Sequence, residues 1–185
     1  MNYFILTQDE RIPHTIEPIG MLQAIKREWL TKERVDELDK LDLQFKIREQ
    51  ARCEPTDFIE KPIPLFSDRF KKLIEKYAPN IPMKAVVLLD ETEGKQMLYW
   101  LMIPPTVACL STQSEFHLDG AIKKLVIEED LAASYPIFTI EGVRERIIIV
   151  NIALAESMLR RHFYGIGLQK METNGRWNEL QIKEY

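Results

Sequence analysis

An apolar run at Ala85–Leu89, a polar stretch at Asp90–Gln96 containing Gly94, and a second apolar run at Met97–Ile103 constrain this chain more than any other segment. Two β-rich runs around a polar loop are the sequence form of a hairpin, and Pro104-Pro105 stops the second run. Both runs are almost continuously apolar, which predicts strands covered on both faces and places Trp100 in the core. Tyr3–Leu6, Phe58-Ile59, Leu125–Ile127, Ile137–Ile140 and Ile147–Val150 read as further strands. So do Leu43, Phe45 and Ile47, which alternate with Gln44, Lys46 and Arg48, and Gly167–Met171, which reads as a final core strand.

Helical signals are fewer. Ser67 offers an N-cap, Asp68 sits in the positive first turn, and Phe70, Leu73, Ile74 and Tyr77 recur at helical spacing before Pro79. Asn151 caps a second helix through about His162, with Ile152, Ala155, Leu159 and Phe163 on one face and Glu156 placed to pair with Arg160; Gly165 ends it. Met21–Leu30 places Leu22, Ile25 and Trp29 at helical spacing, and Thr31 offers a cap to a short segment carrying Val35, Leu38 and Leu41. Strand, cap, helix, turn and strand thus occur at Ile63–Leu89 and again at Ile147–Met171, a faint internal echo. A dominant sheet with a few separate helices predicts an α+β fold with mostly antiparallel or mixed sheet, since a doubly wound α/β fold needs a helix after nearly every strand.

The 185 residues are 45% hydrophobic and 29% charged, which fits one domain able to bury about 70% of its extended surface. We read 1–185 as that domain, with 1–57 as an N-terminal part, 58–172 as the core and 173–185 as a polar tail that adds an edge hairpin or lies on the surface. A net charge of −4 gives no global attraction to polyanions, so nucleic acid is not expected as a partner. The opening MNYFILTQDE lacks the basic stretch and apolar run of a signal peptide, and Lys84–Pro105 is interrupted by charges. A cytoplasmic protein without a membrane partner is the expectation, with Cys53 and Cys109 as small hydrophobes.

Catalytic signatures are missing from the sequence. Gly94-Lys95 has neither the upstream Gly nor the following Ser/Thr of a phosphate loop, and no GxGxxG follows a strand, so no cofactor is expected. His14, His117 and His162 are far apart and have no partner at ligand spacing, so no metal site is expected. Ser111, Ser114, His117 and Asp119 fall close together but without a GxSxG elbow; they read as a polar loop, with a hydrolase built around 111–119 as the rival. The Glu128–Asp130 run and Arg144, Arg146, Arg160 and Arg161 read as solvated charged faces. No residue is assigned as catalytic. Trp29 and Trp177 lie in polar surroundings, where a partly exposed ring can anchor a partner.

Five blocks in order carry a resemblance: FIEKPIPLFSDRFKKLIEKY, KAVVLLDETEGKQMLYWLMIP, CLSTQSEF with KKLVIEED, IFTIEGV, and IIIVNIALAESMLRRHFYGIGLQKME. Over about residues 58–172 they resemble a bacterial family of immunity proteins of polymorphic toxin systems, formerly a domain of unknown function. The resemblance implies a cytoplasmic protein that binds and neutralises a cognate protein toxin stoichiometrically, and it carries no catalytic residues. A regulatory module binding something other than a toxin is the remaining alternative.

Overall fold

Ser67 and Asn151 start the two longer helices in the same way. Ser67 Oγ accepts a hydrogen bond from the Phe70 N–H at 3.1 Å, and Asn151 Oδ1 accepts one from the Leu154 N–H at 3.0 Å. Each satisfies a backbone donor that has no partner within its helix, a contribution of about 1 kcal/mol. The computed structural model describes residues 2–50 and 53–174.

In chain order, β1 (Tyr3–Gln8) is followed by α1 (Met21–Ala24), two 3₁₀ turns, α2 (Val35–Asp39) and β2 (Gln44–Lys46). Next come β3 (Phe58–Ile59), β4 (Leu65–Ser67), α3 (Asp68–Tyr77), β5 (Met83–Asp90), β6 (Lys95–Met102) and β7 (Thr106–Val107). The chain continues through β8 (Glu115–Phe116), β9 (Ile122–Lys124), β10 (Val126–Glu128), α4 (Glu129–Ala132) and β11 (Ile137–Ile140). It ends in β12 (Ile148–Asn151), α5 (Ile152–Arg160), β13 (Ile166–Lys170) and β14 (Glu172–Asn174). The fold is α+β with mixed sheets, as the sequence predicts.

Two five-stranded sheets dominate, with strand orders β13-β1-β12-β11-β7 and β2-β5-β6-β4-β3. In the second, β4 and β5 flank β6 and both run antiparallel to it, so α3 connects two parallel strands across an intervening one. In the first, β12 and β13 flank β1 in the same relation, joined by α5. The echo in the sequence is this split β-α-β unit, built twice. Phe66, Phe70 and Ile74 from one unit and Val150, Leu154 and Met158 from the other are buried in one shared core. The outer face of the β1 sheet packs on Cys109, Leu125, Ile127 and Ala132, while the outer face of the β6 sheet packs on Ile16, Ile25, Leu30 and Leu38 from the N-terminal segment.

Several sequence expectations change. Met21–Leu30 is not one helix: α1 stops when Ile25 turns extended, and Arg27–Trp29 forms a separate 3₁₀ turn. Neither has a side-chain cap, and burial of Met21, Ile25 and Leu30 in the N-terminal core fixes the path instead. In α5 the buried face is Leu154, Ala155 and Met158, while Leu159 is 61% exposed, because the helix docks through the stripe that follows its Asn151 cap. β13 lies at a sheet edge with half-buried apolar residues, not in the core. Thr173 and Asn174, placed in the polar tail, pair through β14 with β10 in parallel.

Asp57 joins the two units. This buried carboxylate accepts from Ser67 Oγ–H at 2.6 Å through Oδ1 and from the Tyr164 N–H at 2.8 Å through Oδ2, with Arg69 Nη1 at 3.4 Å. Its backbone N–H donates to Tyr164 O at 2.8 Å and its carbonyl accepts from Ser67 N–H at 2.9 Å. The Ser67 hydroxyl therefore gives its proton to Asp57 while accepting from Phe70. Around this point Tyr99 Oη donates to Thr56 O at 2.8 Å, and Gln8 and Glu60 exchange two backbone-to-side-chain hydrogen bonds at 2.9 Å. Gly165, at φ +76°, lies so close to Thr56 that a Cβ would sit 2.4 Å from its Cβ.

Asp57→Ala strands the Ser67 hydroxyl and the Tyr164 N–H, and is expected to lower the unfolding free energy by about 3 kcal/mol in urea titrations, against about 1 kcal/mol for Arg69→Ala. Gly165→Ala adds a methyl with no room and a left-handed backbone cost; a loss of about 2 kcal/mol or more is expected by the same measurement.

Candidate functional site

Residues directly opposite in β5 and β6 share a face, and the register pairs Ala85 with Trp100, Val87 with Leu98 and Leu89 with Gln96. The alternate residues Val86, Leu88, Tyr99 and Leu101 point the other way and are buried against the N-terminal segment. The face carrying Ala85, Val87, Leu89, Leu98 and Trp100 is covered only in part. Leu98 is 48% exposed, Ala85 is exposed, and Val87, Leu89 and Trp100 are half-buried. Exposed Gln44 and Lys46 of β2 extend this face sideways, paired with Val87 and Leu89.

Helix length explains the opening. α3 has 10 residues, about 15 Å of helix, whereas β5 and β6 have 8 residues each, about 26 Å of strand. The helix lies against β4 and β6, so the far part of the hairpin has no cover. At the boundary, Lys71 Nζ stands 4.5 Å from the Trp100 ring centroid and Trp100 Nε1–H donates to Asp68 Oδ1 at 3.3 Å. The Asp68 carboxyl is held below its usual range, first by the hydrogen-bonded Lys72 ammonium and further by Trp100 and Lys71. Trp100 is thus fixed in orientation with part of its ring open to solvent. At the hairpin tip Asp90 is buried and its Oδ1 accepts from the N–H groups of Thr92 and Glu93, both at 3.0 Å, which ties the loop to the end of β5.

The two tryptophans named from the sequence fare differently. Trp29 is half-buried, packed on the N-terminal core with Lys26 Nζ 5.2 Å from its ring centroid. It is mainly a cover for that core. Trp177 lies outside the described residues. Trp100, expected in the core, is half-buried and Leu98 is exposed, because uniform hydrophobicity along β5 and β6 hides which face lacks a covering element. The available signal was the shortness of the Ser67-capped helix beside two long strands.

The 111–119 loop does not assemble a triad. Ser114 Oγ donates to Val126 O at 2.9 Å and accepts from Val126 N–H at 3.0 Å, so it pins the loop to β10. Ser111 Oγ accepts from Gln113 N–H at 3.4 Å, and Asp119 Oδ1 accepts from Ala121 N–H at 3.0 Å. Among the described residues no hydrogen bond joins any two side chains of Ser111, Ser114, His117 and Asp119. Arg160 pairs with Glu156 at 2.9 Å, Arg161 donates to Ser157 O at 3.1 Å, and Arg144 donates to Asp119 O at 3.3 Å.

Among the described residues no three His, Cys, Asp or Glu side chains are grouped to hold a metal ion, and no helix is long and apolar enough to cross a membrane. Cys109 is fully buried, and desolvation pushes its thiol up to about 11. Compared with known proteins, the chain matches no protein-family model and no curated protein sequence.

Only a thiolate is alkylated, so a pKa of about 11 leaves roughly 0.1% of Cys109 reactive at pH 8, and even that behind packed side chains. At pH 8 iodoacetamide is expected to label Cys109 roughly a hundredfold more slowly in the native protein than in the urea-unfolded chain, where the thiol regains its ordinary pKa; mass spectrometry of labelled peptides reads this.

Proposed function

We propose that this protein acts by holding another protein stoichiometrically, and that the partner is a toxin which it neutralises as an immunity factor. The observation that carries the binding reading is the open apolar face of the β5–β6 hairpin. Apolar side chains there are prealigned by strand pairing, and Trp100 is held by Asp68 and Lys71, so docking costs little ordering entropy. Covering Leu98 and the free part of the Trp100 ring contributes about 2 kcal/mol or more, the scale of an interface anchor. The charged surroundings, including the Lys46–Glu91 pair at 2.8 Å, suit the polar rim of such an interface. The order of sequence blocks from Phe58 to Glu172 supports the toxin as partner. Inhibition then follows from occlusion of the toxin's active site or of a surface it needs.

The hydrolase rival has less support, since the Ser111, Ser114 and Asp119 side chains hydrogen-bond to backbone groups and none of them to His117. A regulatory module with another protein partner would use the same face and differ in what the neighbouring genes encode.

Co-expression with each protein encoded beside this chain, screened for one that is toxic when expressed alone, tests the reading. The wild-type chain is expected to rescue growth and to co-purify with it, and Leu98→Asp to weaken the complex by about 30-fold or more while circular dichroism stays native. Rescue that survives Leu98→Asp with unchanged affinity would contradict the surface. No complex with any neighbouring product, together with a turnover lost in Ser111→Ala or Ser114→Ala, would overturn the binding function itself.

A further inference from the structure

Beside the edge strand β13, a cleft of about 730 Å³ opens between the first sheet, the segment after β3 and the β9–β10 connection. Its basic lining residues are Lys61, Lys123, Lys124, Arg146 and Lys170, and its acidic ones Glu60, Glu145 and Glu172. Much of that charge is already balanced. Lys124 pairs with Glu172 at 2.8 Å and Lys123 pairs with Glu115 at 2.6 Å, whereas Glu60, which accepts from the Gln8 N–H at 2.9 Å, and Glu145 have no ion pair among the described residues. Lys61, Arg146 and Lys170 have no ion pair among the described residues.

Arg146 is the unusual member. Its Nη1–H donates to Leu30 O at 2.9 Å, but Nη2 is shielded from solvent and has no hydrogen-bond partner. Desolvation lowers its pKa to about 10, and repulsion from Arg27 acts in the same direction. Arg146 also lines an adjoining hollow of about 230 Å³ whose other walls are Arg27 and the apolar Leu22, Ile25, Leu30 and Pro62–Pro64 segment. No acidic residue lines that hollow. A desolvated guanidinium with an idle donor next to a second arginine is an arrangement that an anion relieves, and Arg recognises oxyanions through paired N–H donors.

We propose that this cleft binds an oxyanion, a phosphate or a carboxylate, with Arg146 as the principal donor and Lys61 and Lys170 supplying charge at the rim. The unpaired Lys61, Arg146 and Lys170 outnumber the unpaired Glu60 and Glu145 carboxylates by one, which favours an anion over a neutral ligand. The walls formed by Leu22, Ile25 and Pro62 leave room for an apolar part of the same molecule. The site is separate from the β5–β6 face and does not depend on the partner reading.

Titration calorimetry with inorganic phosphate and with citrate, in a chloride buffer of fixed ionic strength, tests this on the whole chain. One equivalent of either anion is expected to bind, with affinity reduced at least tenfold in Arg146→Met and severalfold in the Lys61→Gln, Lys170→Gln double variant. Leu98→Asp should bind the anion as the wild type does, even where it loses the protein partner. Arg146→Met keeps the apolar stem, and the double variant alters exposed side chains only, so the second decides if the first fails to fold. Saturable phosphate binding alone or citrate binding alone supports the site and tells which chemistry it takes. No saturable binding of either, or affinities unchanged in a folded variant, would overturn it.

Discussion

Asp57 connects parts of the chain that are far apart in sequence, and the placement of both β-α-β units depends on it. Its carboxylate reaches Ser67, where α3 begins, and Tyr164, 107 residues away, just before β13. A carboxylate removed from water is costly unless its oxygens are satisfied, and here a hydroxyl, a backbone N–H and a guanidinium do so. The tight approach of Gly165 to Thr56 and the Gln8–Glu60 exchange repeat the same junction on either side. These polar contacts have directions, which the shared apolar core beneath them lacks. The core supplies the driving force and the junction selects one way of stacking the units.

That stacking has a consequence at the surface. With Ser67 tied to Asp57, α3 starts at the end of β4 and runs across β4 and β6, its Tyr77 Oη near the backbone of α5 at Ala153. The helix therefore serves the core shared with α5, and the outer part of the hairpin stays open with Leu98 and Trp100 on it. The open face follows from where the helix is anchored. Its apolar character, on strands long enough to outrun their helix, is what the proposed binding role rests on.

The local features were legible in the sequence because their causes are local. The Ser67 and Asn151 caps, the hairpin around Gly94, the alternation through Phe45 and the Glu156–Arg160 pair all lie within a few residues of what determines them. The repeated strand-helix-strand order was visible too, but the inserted strands β6 and β1 were not, since β1 comes from the far end of the chain. Leu159 and the second face of β5 and β6 misled for one reason: an apolar residue does not reveal whether another element arrives to cover it. Asp57 gave no signal, because its distant partner is a backbone N–H that any residue but proline at position 164 could provide. Arg146 likewise looked like a surface charge until Leu30 and Arg27 were brought against it.

The most direct test of the central claim is hydroxyl-radical footprinting of the chain alone and in complex with the protein partner that co-expression selects. Oxidation of Leu98 and Trp100 should fall severalfold on complex formation while exposed Leu118 and Leu159, away from the hairpin in sequence, change little. Leu98 and Trp100 oxidised equally fast in both samples, with protection confined to other surfaces, would contradict the account.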